Sequence, residues 1–387
     1  MRPNKTRLGI FLPFLHQGGV ERAMLNLAEG FIGRQVEVDL IVATRAEGPY
    51  VSQIPNGIAV VELGAPRPET SLPFLVRYLV DRRPQALLAA LTPANIVAIC
   101  ACRISRLAAK LDVKVAVSVQ VSLRLRETTT PFRARLRPLA YRLFFPWADA
   151  VVAASKGVAE DLMALGLAPA GIHVIHNPVV TRWTLRRAQE PVGHPWFAPG
   201  SPPVVLAVGR FHKQKDFATL LRAFAVVRGL RTVRLVILGE GEERARLEFL
   251  RRELGLEADV DMPGFAANPY AYMARSAVFV LSSAWEGFGN VVAEAMACGT
   301  PVVSTDCPSG PSEILEGGKW GRLAPVGDAQ SLAEAIIQTL DQPRDPVPLR
   351  TRAQSFSTEV CVPRYAKAMG IVLQQEMDPY SRAGLTC

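Results

Sequence analysis

Two glutamates and two cations are the residues whose spacing suggests chemistry. Glu286 and Glu294 lie within Ser283-Ala-Trp-Glu-Gly-Phe-Gly-Asn-Val-Val-Ala-Glu-Ala-Met-Ala-Cys-Gly299, with seven residues between them. Glu286 precedes the turn Gly287-Phe288-Gly289. Glu294 falls inside an Ala-rich run that reads as a helix opening near Asn290 and stopping at Gly299. Val278-Phe279-Val280-Leu281 just upstream reads as a buried strand. Strand, glycine loop and helix in that order aim backbone N–H groups and a positive dipole end into the loop, which makes it an anion site. A carboxylate at the mouth and another two turns in suit a ligand with phosphate in the middle and hydroxyl groups at both ends, as in a nucleotide sugar. A pair of solvated surface carboxylates is the competing reading, and the glycines weigh against it.

Arg210 and Lys215 supply the opposite charge. They follow the apolar run Val204–Val208, at the carboxyl end of a strand, where parallel sheets bind ligands. Two cations there can clamp a diphosphate and offset charge on a leaving nucleoside diphosphate. The run His16-Gln17-Gly18-Gly19-Val20-Glu21-Arg22 also follows an apolar strand and offers a second glycine turn. It lacks the GxGxxG spacing of a dinucleotide fold, and a bare tight turn competes as its explanation. Asp259-Val260-Asp261 is a literal DxD but sits in a short strand before Pro263-Gly264-Phe265, so both carboxylates are not displayed together. It reads as structural, and no metal is expected at the site.

The elements that must position these groups form an alternating pattern. Apolar runs at Arg7–Pro13, Val36–Val42, Val60–Leu63, Ala86–Leu91, Val113–Val119, Asp149–Ala154 and Ile172–Asn177 read as strands, with helices between them, including Leu72–Arg82 and an N-capped helix at Asn95–Ala109. The pattern restarts at Val204 and continues through Arg234–Leu238, a helix at Glu242–Leu254 and the strand at Val278. Such alternation predicts parallel sheets with helices on both faces, hence an α/β fold. A chain of 387 residues, 49% hydrophobic, is long for one core and suits two. The expected division is residues 1–180, a Pro-rich linker 181–203 and a second domain 204–358, with a helix over 359–387 returning to the first.

Six scattered cysteines make no CxxC and, with five histidines lacking metal spacing, fit a reducing cytoplasm without zinc. No uninterrupted 18-residue apolar span is present and the N-terminal residues lack a signal-peptide pattern, so a cytoplasmic protein is expected. The net charge of +9 is uneven: residues 1–199 carry 24 Lys/Arg against 14 Asp/Glu, and residues 200–387 carry 20 against 21. The first half therefore faces the anionic partner. From Arg124 to Arg142, six arginines alternate with apolar and aromatic residues. That is a basic amphipathic segment for an anionic membrane face, or equally a solvated helix; no nucleic-acid motif accompanies it.

The Glu286-x7-Glu294 pattern resembles the donor-site signature of the retaining glycosyltransferases of family 4, whose GT-B architecture sets two Rossmann-like domains across a cleft. The resemblance continues through Gly209-Arg210-x4-Lys215, Thr300-Pro301-Val302-Val303-Ser304-Thr305-Asp306, Glu313-Ile314-Leu315, Gly321 and Asp328, and the first glycine loop is similar too. It implies a hexose or N-acetylhexosamine donor, UDP-linked first among candidates, and a glycan or lipid-linked acceptor of cell-surface polysaccharide or lipopolysaccharide synthesis; the basic first half points to such an acceptor at the inner leaflet. By position it implies that Arg210, Lys215 and Glu286 are catalytic, with Gly18, Gly19, Gly264, Gly287, Phe288, Gly289, Asn290 and Glu294 around the donor and no cofactor or metal required.

Many relatives carry a histidine where Ser118-Val119-Gln120 ends a strand here. Glutamine cannot act as a base, so the acceptor proton goes to a donor phosphate oxygen, or to His16, or the enzyme is impaired. A non-catalytic nucleotide-sugar-binding subunit and a GT-B epimerase are the other readings; the presence of Glu286, Arg210 and Lys215 counts against the first, and the basic first half against the second.

Overall fold

A computed structural model describes residues 6–16, 18–122 and 131–374; in the helix that opens at Pro131, side chains are described from residue 138. The chain divides into two compact units, Met1–Ala154 with Val158–Pro178 and Thr358–Cys387, and Val179–Ser357 with Ser155–Gly157.

The first unit is built on seven parallel strands, β1 (Arg7–Leu12), β2 (Glu37–Val42), β3 (Ala59–Glu62), β4 (Ala86–Ala90), β5 (Lys114–Val119), β6 (Ala150–Ala153) and β7 (Ile172–Val174), in the order β3-β2-β1-β4-β5-β6-β7. The second has six, β8 (Val204–Val208), β9 (Arg234–Leu238), β10 (Val260–Gly264), β11 (Val278–Leu281), β12 (Val302–Thr305) and β13 (Arg322–Ala324), in the order β10-β9-β8-β11-β12-β13. Every adjacent pair is parallel, as the continuous apolar runs require of strands covered on both faces. In each sheet the order reverses beside the first strand, between β1 and β4 and between β8 and β11. Crevices outside the carboxyl ends of strands open at such switch points.

Two apolar layers sandwich the first sheet. Leu8, Ile10 and Leu40 pack with Met24, Leu27 and Phe31 on one side; Phe11, Leu87 and Val117 pack with Leu79, Ile99 and Phe145 on the other. The helix Gly19–Ile32 carries its buried stripe through Phe31. The returning helix, Thr358–Met369, lies against it: a Cβ on Gly30 would stand 2.6 Å from Val362 Cγ2. In the second unit Val205, Leu235 and Val280 pack with Leu220, Phe224 and Ile336. Fully burying each such side chain stabilises the fold by about 1.5–3 kcal/mol.

Several expected boundaries shift. The helix read as N-capped near Asn95 begins at Thr92, with Pro93 in its first turn and no side-chain cap; Leu91 precedes it at φ +75°. Asn95 is buried and its amide donates to the Ser118 carbonyl at 2.9 Å instead. The last strand of the first sheet stops at Val174, short of Asn177. The Pro-rich stretch 181–203 carries a helix at Arg182–Arg187 and belongs to the second unit. The arginine-rich segment forms the helix Pro131–Phe144, while Arg124 and Arg126 lie outside the described residues. Among the described residues no helix is long and apolar enough to cross a membrane.

Candidate functional site

In the second unit, the loops leaving β8, β9, β10 and β11 are stitched together at the carboxyl edge of the sheet. Gly209 N–H donates to the Leu238 carbonyl, Phe211 N–H to Glu240, Gly239 N–H to Gly264, and Ala284 N–H to Gln214, all at 2.8–2.9 Å. Glycines make the close approach possible. A Cβ on Gly239 would fall 1.9 Å from the Gly209 carbonyl oxygen, and one on Gly241 2.3 Å from that of Phe211, with φ of +147° and +156°. Gly264, at φ +98°, faces the Glu240 carboxylate. At Gly239 and Gly241 no larger residue fits without moving backbone.

The switch point between β8 and β11 holds the charged centre. Lys215 Nζ lies 2.5 Å from Glu286 Oε1. The Ser283 hydroxyl donates to the same oxygen at 2.7 Å, and the Gln214 amide approaches Oε2 at 3.5 Å while donating to the Trp285 carbonyl at 2.8 Å. The Glu286 side chain is only 9% exposed, so burial is compensated by a cation and neutral donors together. The Lys215 stem runs along Gly209, where any side chain would press on it. Ser282 Oγ donates to the Lys215 carbonyl at 2.7 Å, fixing the turn from the other side. Arg210, by contrast, is 72% exposed and its guanidinium meets Glu242 at 3.2 Å. Glu242 is held below the usual carboxylate range, first by a bond to its own backbone N–H and then by Arg210.

The helix Asn290–Ala297 begins where the sequence places it. Gly289 caps it at φ +89°, and no side chain caps its first turn. Gly310 permits the approach of the next loop, since a Cβ there would stand 2.0 Å from the Phe288 carbonyl oxygen. Phe288 is buried edge-on to Phe356, and the Gly287 carbonyl accepts from Ser155 at 2.7 Å. Glu294 is buried in the second turn. At the far end, Arg344 donates to the Gly299 carbonyl at 3.0 Å and Arg350 to that of Cys298 at 3.4 Å, the favourable location for cations on a helix dipole. Both DxD carboxylates are engaged within the unit. Asp259 pairs with Arg228 at 2.7 Å and Arg234 at 3.4 Å, and Asp261 faces His194 Nε2 at 2.9 Å.

The first unit carries the other predicted residues, at the carboxyl edge of its own sheet. Gly18 caps the helix Gly19–Ile32, and a Cβ on it would stand 2.2 Å from Glu21 Oε2. The Glu21 carboxylate thus folds back over its own helix start and accepts from the backbone N–H groups of Glu21 and His16. Burial pushes its pKa up against those bonds. The anion at this helix start is therefore the protein's own side chain. Arg22 hydrogen-bonds Gln53 and lies 4.3 Å over the Tyr50 ring. His16 is exposed and stacked on Phe14, with ring centroids 4.6 Å apart. Gln120 is buried and held at both ends: its amide nitrogen donates to Ser118 Oγ and its oxygen accepts from Asn177, each at 2.7 Å. The next residue, Pro178, offers its carbonyl to Asn26 at 2.9 Å.

Sequence reasoning missed Gln214, Ser283, Glu242 and His212. Ser283 carried a usable signal, lying three residues before Glu286. The others meet their partners through turn geometry and a neighbouring loop, which spacing does not reveal.

Residues 17–183 match the family profile described as Glycosyltransferase Family 4, and residues 194–356 that described as Glycosyl transferases group 1. Among curated proteins, the chain is 33% identical over 226 residues to an N-acetylgalactosamine-N,N'-diacetylbacillosaminyl-diphospho-undecaprenol 4-alpha-N-acetylgalactosaminyltransferase of Campylobacter jejuni, covering 56% of this chain and 60% of that protein. It is 34% identical over 224 residues to the lipopolysaccharide core biosynthesis glycosyltransferase LpsE of Rhizobium meliloti, covering 58% and 62%. The chain thus spans about 60% of the length of these curated relatives. Among solved structures, Anabaena Alr3699/HepE in complex with UDP-glucose matches with a TM-score of 0.72 at 22% identity, covering 94% of this chain and 99% of that one. The apo lipopolysaccharide outer core galactosyltransferase WaaB matches at 0.69 and 20% identity, covering 94% and 99%. At those identities the likeness is one of fold.

Proposed function

The chain belongs to the family 4 glycosyltransferases, with two Rossmann-like α/β units, and from that premise we propose that it moves a hexose or N-acetylhexosamine from a nucleoside-diphosphate sugar to a glycan or lipid-linked glycan, with retention of anomeric configuration. The observation that carries the reading is the partly buried Lys215–Glu286 pair at the β8/β11 switch point, beside the exposed Arg210. Lys215 and Arg210 grip the diphosphate. Glu286, already oriented by Ser283 and Gln214, accepts hydrogen bonds from the sugar hydroxyls. The start of the helix Asn290–Ala297 receives phosphate charge, and Glu294 takes the ribose hydroxyls. Gly264 flanks the base.

In the transfer, the acceptor oxygen bonds to the anomeric carbon on the face from which the phosphate oxygen departs. The carbon–oxygen bond to the diphosphate breaks and the nucleoside diphosphate leaves. Gln120 is locked between Ser118 and Asn177 and cannot take a proton, so the acceptor hydroxyl proton passes to the departing phosphate oxygen. Charge on the leaving group is met by Arg210 and Lys215 at about 3 kcal/mol each, without a metal ion.

UDP is the first donor to test, because the solved HepE structures hold UDP and UDP-glucose. A lipid-linked or lipopolysaccharide acceptor is supported by the names of the relatives in Campylobacter and Rhizobium. Exposed Leu139, Leu143 and Trp147 beside Arg142 support a site of action on an anionic inner membrane face. The test is release of nucleoside diphosphate from a panel of UDP-, GDP- and ADP-sugars offered with lipid-linked glycans, with the anomeric configuration of the product read by NMR. Transfer with retention supports the reading. Donor epimerised without transfer, or bound without turnover, replaces it with the epimerase or the non-catalytic subunit. Binding that ignores anionic vesicles at low salt removes the membrane part.

A further inference from the structure

Glu242 is the common partner of two features of the donor loop that the family pattern treats separately. One carboxylate oxygen meets the Arg210 guanidinium at 3.2 Å; the other faces His212 Nε2 at 3.4 Å. His212 is in turn the cap of the short turn Lys213–Lys215, since its Nδ1 accepts from the Gln214 backbone N–H at 3.1 Å. A ring nitrogen that accepts carries no proton. The neutral ring therefore holds its proton on Nε2, the nitrogen that faces Glu242. The turn so capped delivers two of the three side chains that hold Glu286: the Lys215 ammonium on Oε1 and the Gln214 amide beside Oε2.

We propose that Glu242 is a positioning residue for the transfer, orienting Arg210 directly and seating Lys215, Gln214 and hence Glu286 through the Nε2–H tautomer of His212. The inference rests on the donor-site reading above and extends it. Arg210 and Lys215 are separated by a short stretch whose one regular element is the turn Lys213–Lys215. A single carboxylate at the start of the β9 loop sets both. Glycines hold that carboxylate's own loop in place: Phe211 N–H donates to the Glu240 carbonyl and Glu243 N–H to that of Phe211, across the approach that Gly239 and Gly241 allow. Glu242 and His212 are half exposed, so their substitution spares the apolar core.

Three variants separate the two arms. Glu242→Gln keeps an oxygen for His212 Nε2–H but removes the charge beside Arg210. Glu242→Ala removes both. His212→Asn keeps an acceptor for the Gln214 N–H and severs the link to Glu242. With the donor that the wild type turns over, Glu242→Gln is expected to raise the donor KM about threefold to tenfold with kcat within about twofold, since only Arg210 loses its partner. Glu242→Ala is expected to raise KM and also lower kcat by about tenfold or more, because the Lys213–Lys215 turn loosens. Adding His212→Asn to Glu242→Ala is expected to cost little further, as both act through one relay. Glu242→Ala with KM and kcat within about twofold of the wild type, in a preparation where Arg210→Ala is impaired, overturns the inference. So does a loss in Glu242→Gln as large as in Glu242→Ala in both parameters. A folded wild type that neither binds nor turns over any nucleoside-diphosphate sugar overturns the functional reading beneath it, a result no Glu242 variant produces alone.

Discussion

Lys215 and Glu286, seventy-one positions apart in sequence, form a 2.5 Å ion pair in which the lysine side chain is 18% exposed and the glutamate 9%. Each comes from a loop at the carboxyl edge of the second sheet, and each has neutral partners besides. Removing Lys215 leaves a buried carboxylate with Ser283 and Gln214 only. Lys215→Ala is expected to lower stability by about 1–3 kcal/mol. Glu286→Gln in that background is expected to recover part of the loss, with coupling of about 1 kcal/mol between the two sites in urea unfolding. Additive losses contradict the pairing.

Arg210 stands on the opposite footing. It is well exposed and its contact with Glu242 lies at the surface, where ion pairs contribute little. Arg210→Ala is expected to leave the unfolding free energy within about 0.5 kcal/mol of the wild type and to lower sugar transfer by about a hundredfold. Circular-dichroism melts alongside a nucleoside-diphosphate release assay test the separation. A parallel loss of stability and activity would assign Arg210 a structural role.

Gly239 is required by its neighbour's backbone. A methyl group there would stand 1.9 Å from the Gly209 carbonyl oxygen at a φ of +147°. Gly239→Ala is expected to destabilise by more than about 1 kcal/mol and to weaken donor binding, because the Gly209-Arg210 segment must move. Gly229, in the helix Phe217–Leu230 with open space around it, is the control. Alanine there is expected to stabilise by about 0.4–1 kcal/mol. Equal effects at the two positions would contradict the steric account.

Glu21 predicts a pH dependence. Its carboxyl is buried over Gly18, and its folded pKa is raised above the ordinary 4.5 chiefly by desolvation. A raised folded pKa favours the native state fully below the unfolded value and loses that contribution as pH rises through the folded value. Glu21→Gln is neutral throughout. The melting temperature of the variant minus that of the wild type is therefore expected to increase from pH 4 to pH 8. A difference that stays constant or falls with pH contradicts the burial argument.

The second unit of the fold was readable because its signals are local. A run of β-branched and aliphatic residues, a glycine turn and an Ala-rich stretch identify β11, the loop at Gly287–Gly289 and the helix opening at Asn290, within one residue of where they occur. Arg210 and Lys215 were legible as cations at a strand end. Their partners were not, since Glu242 arrives from the loop after β9 and Gln214 acts through a turn capped by His212. Gln120 shows the same limit from another side. Its residue type excludes a base, but its role as a buried link between Ser118 and Asn177 depends on contacts across 57 positions. The N-terminus of the helix at Thr92 was misplaced because Asn95 looks like a cap, whereas tertiary burial commits its amide to β5.

Under the proposed function, the second unit binds a nucleoside-diphosphate sugar through Arg210, Lys215, Glu286 and Glu294. A thermal-shift panel of UDP-, GDP- and ADP-sugars on the wild type, Arg210→Ala and Glu294→Ala tests it most directly. One nucleotide class is expected to raise the wild-type melting temperature, with ligand at a hundredfold its Kd contributing about 2.7 kcal/mol, and to leave both variants unshifted. No shift with any donor, or the same shift in all three proteins, contradicts the account.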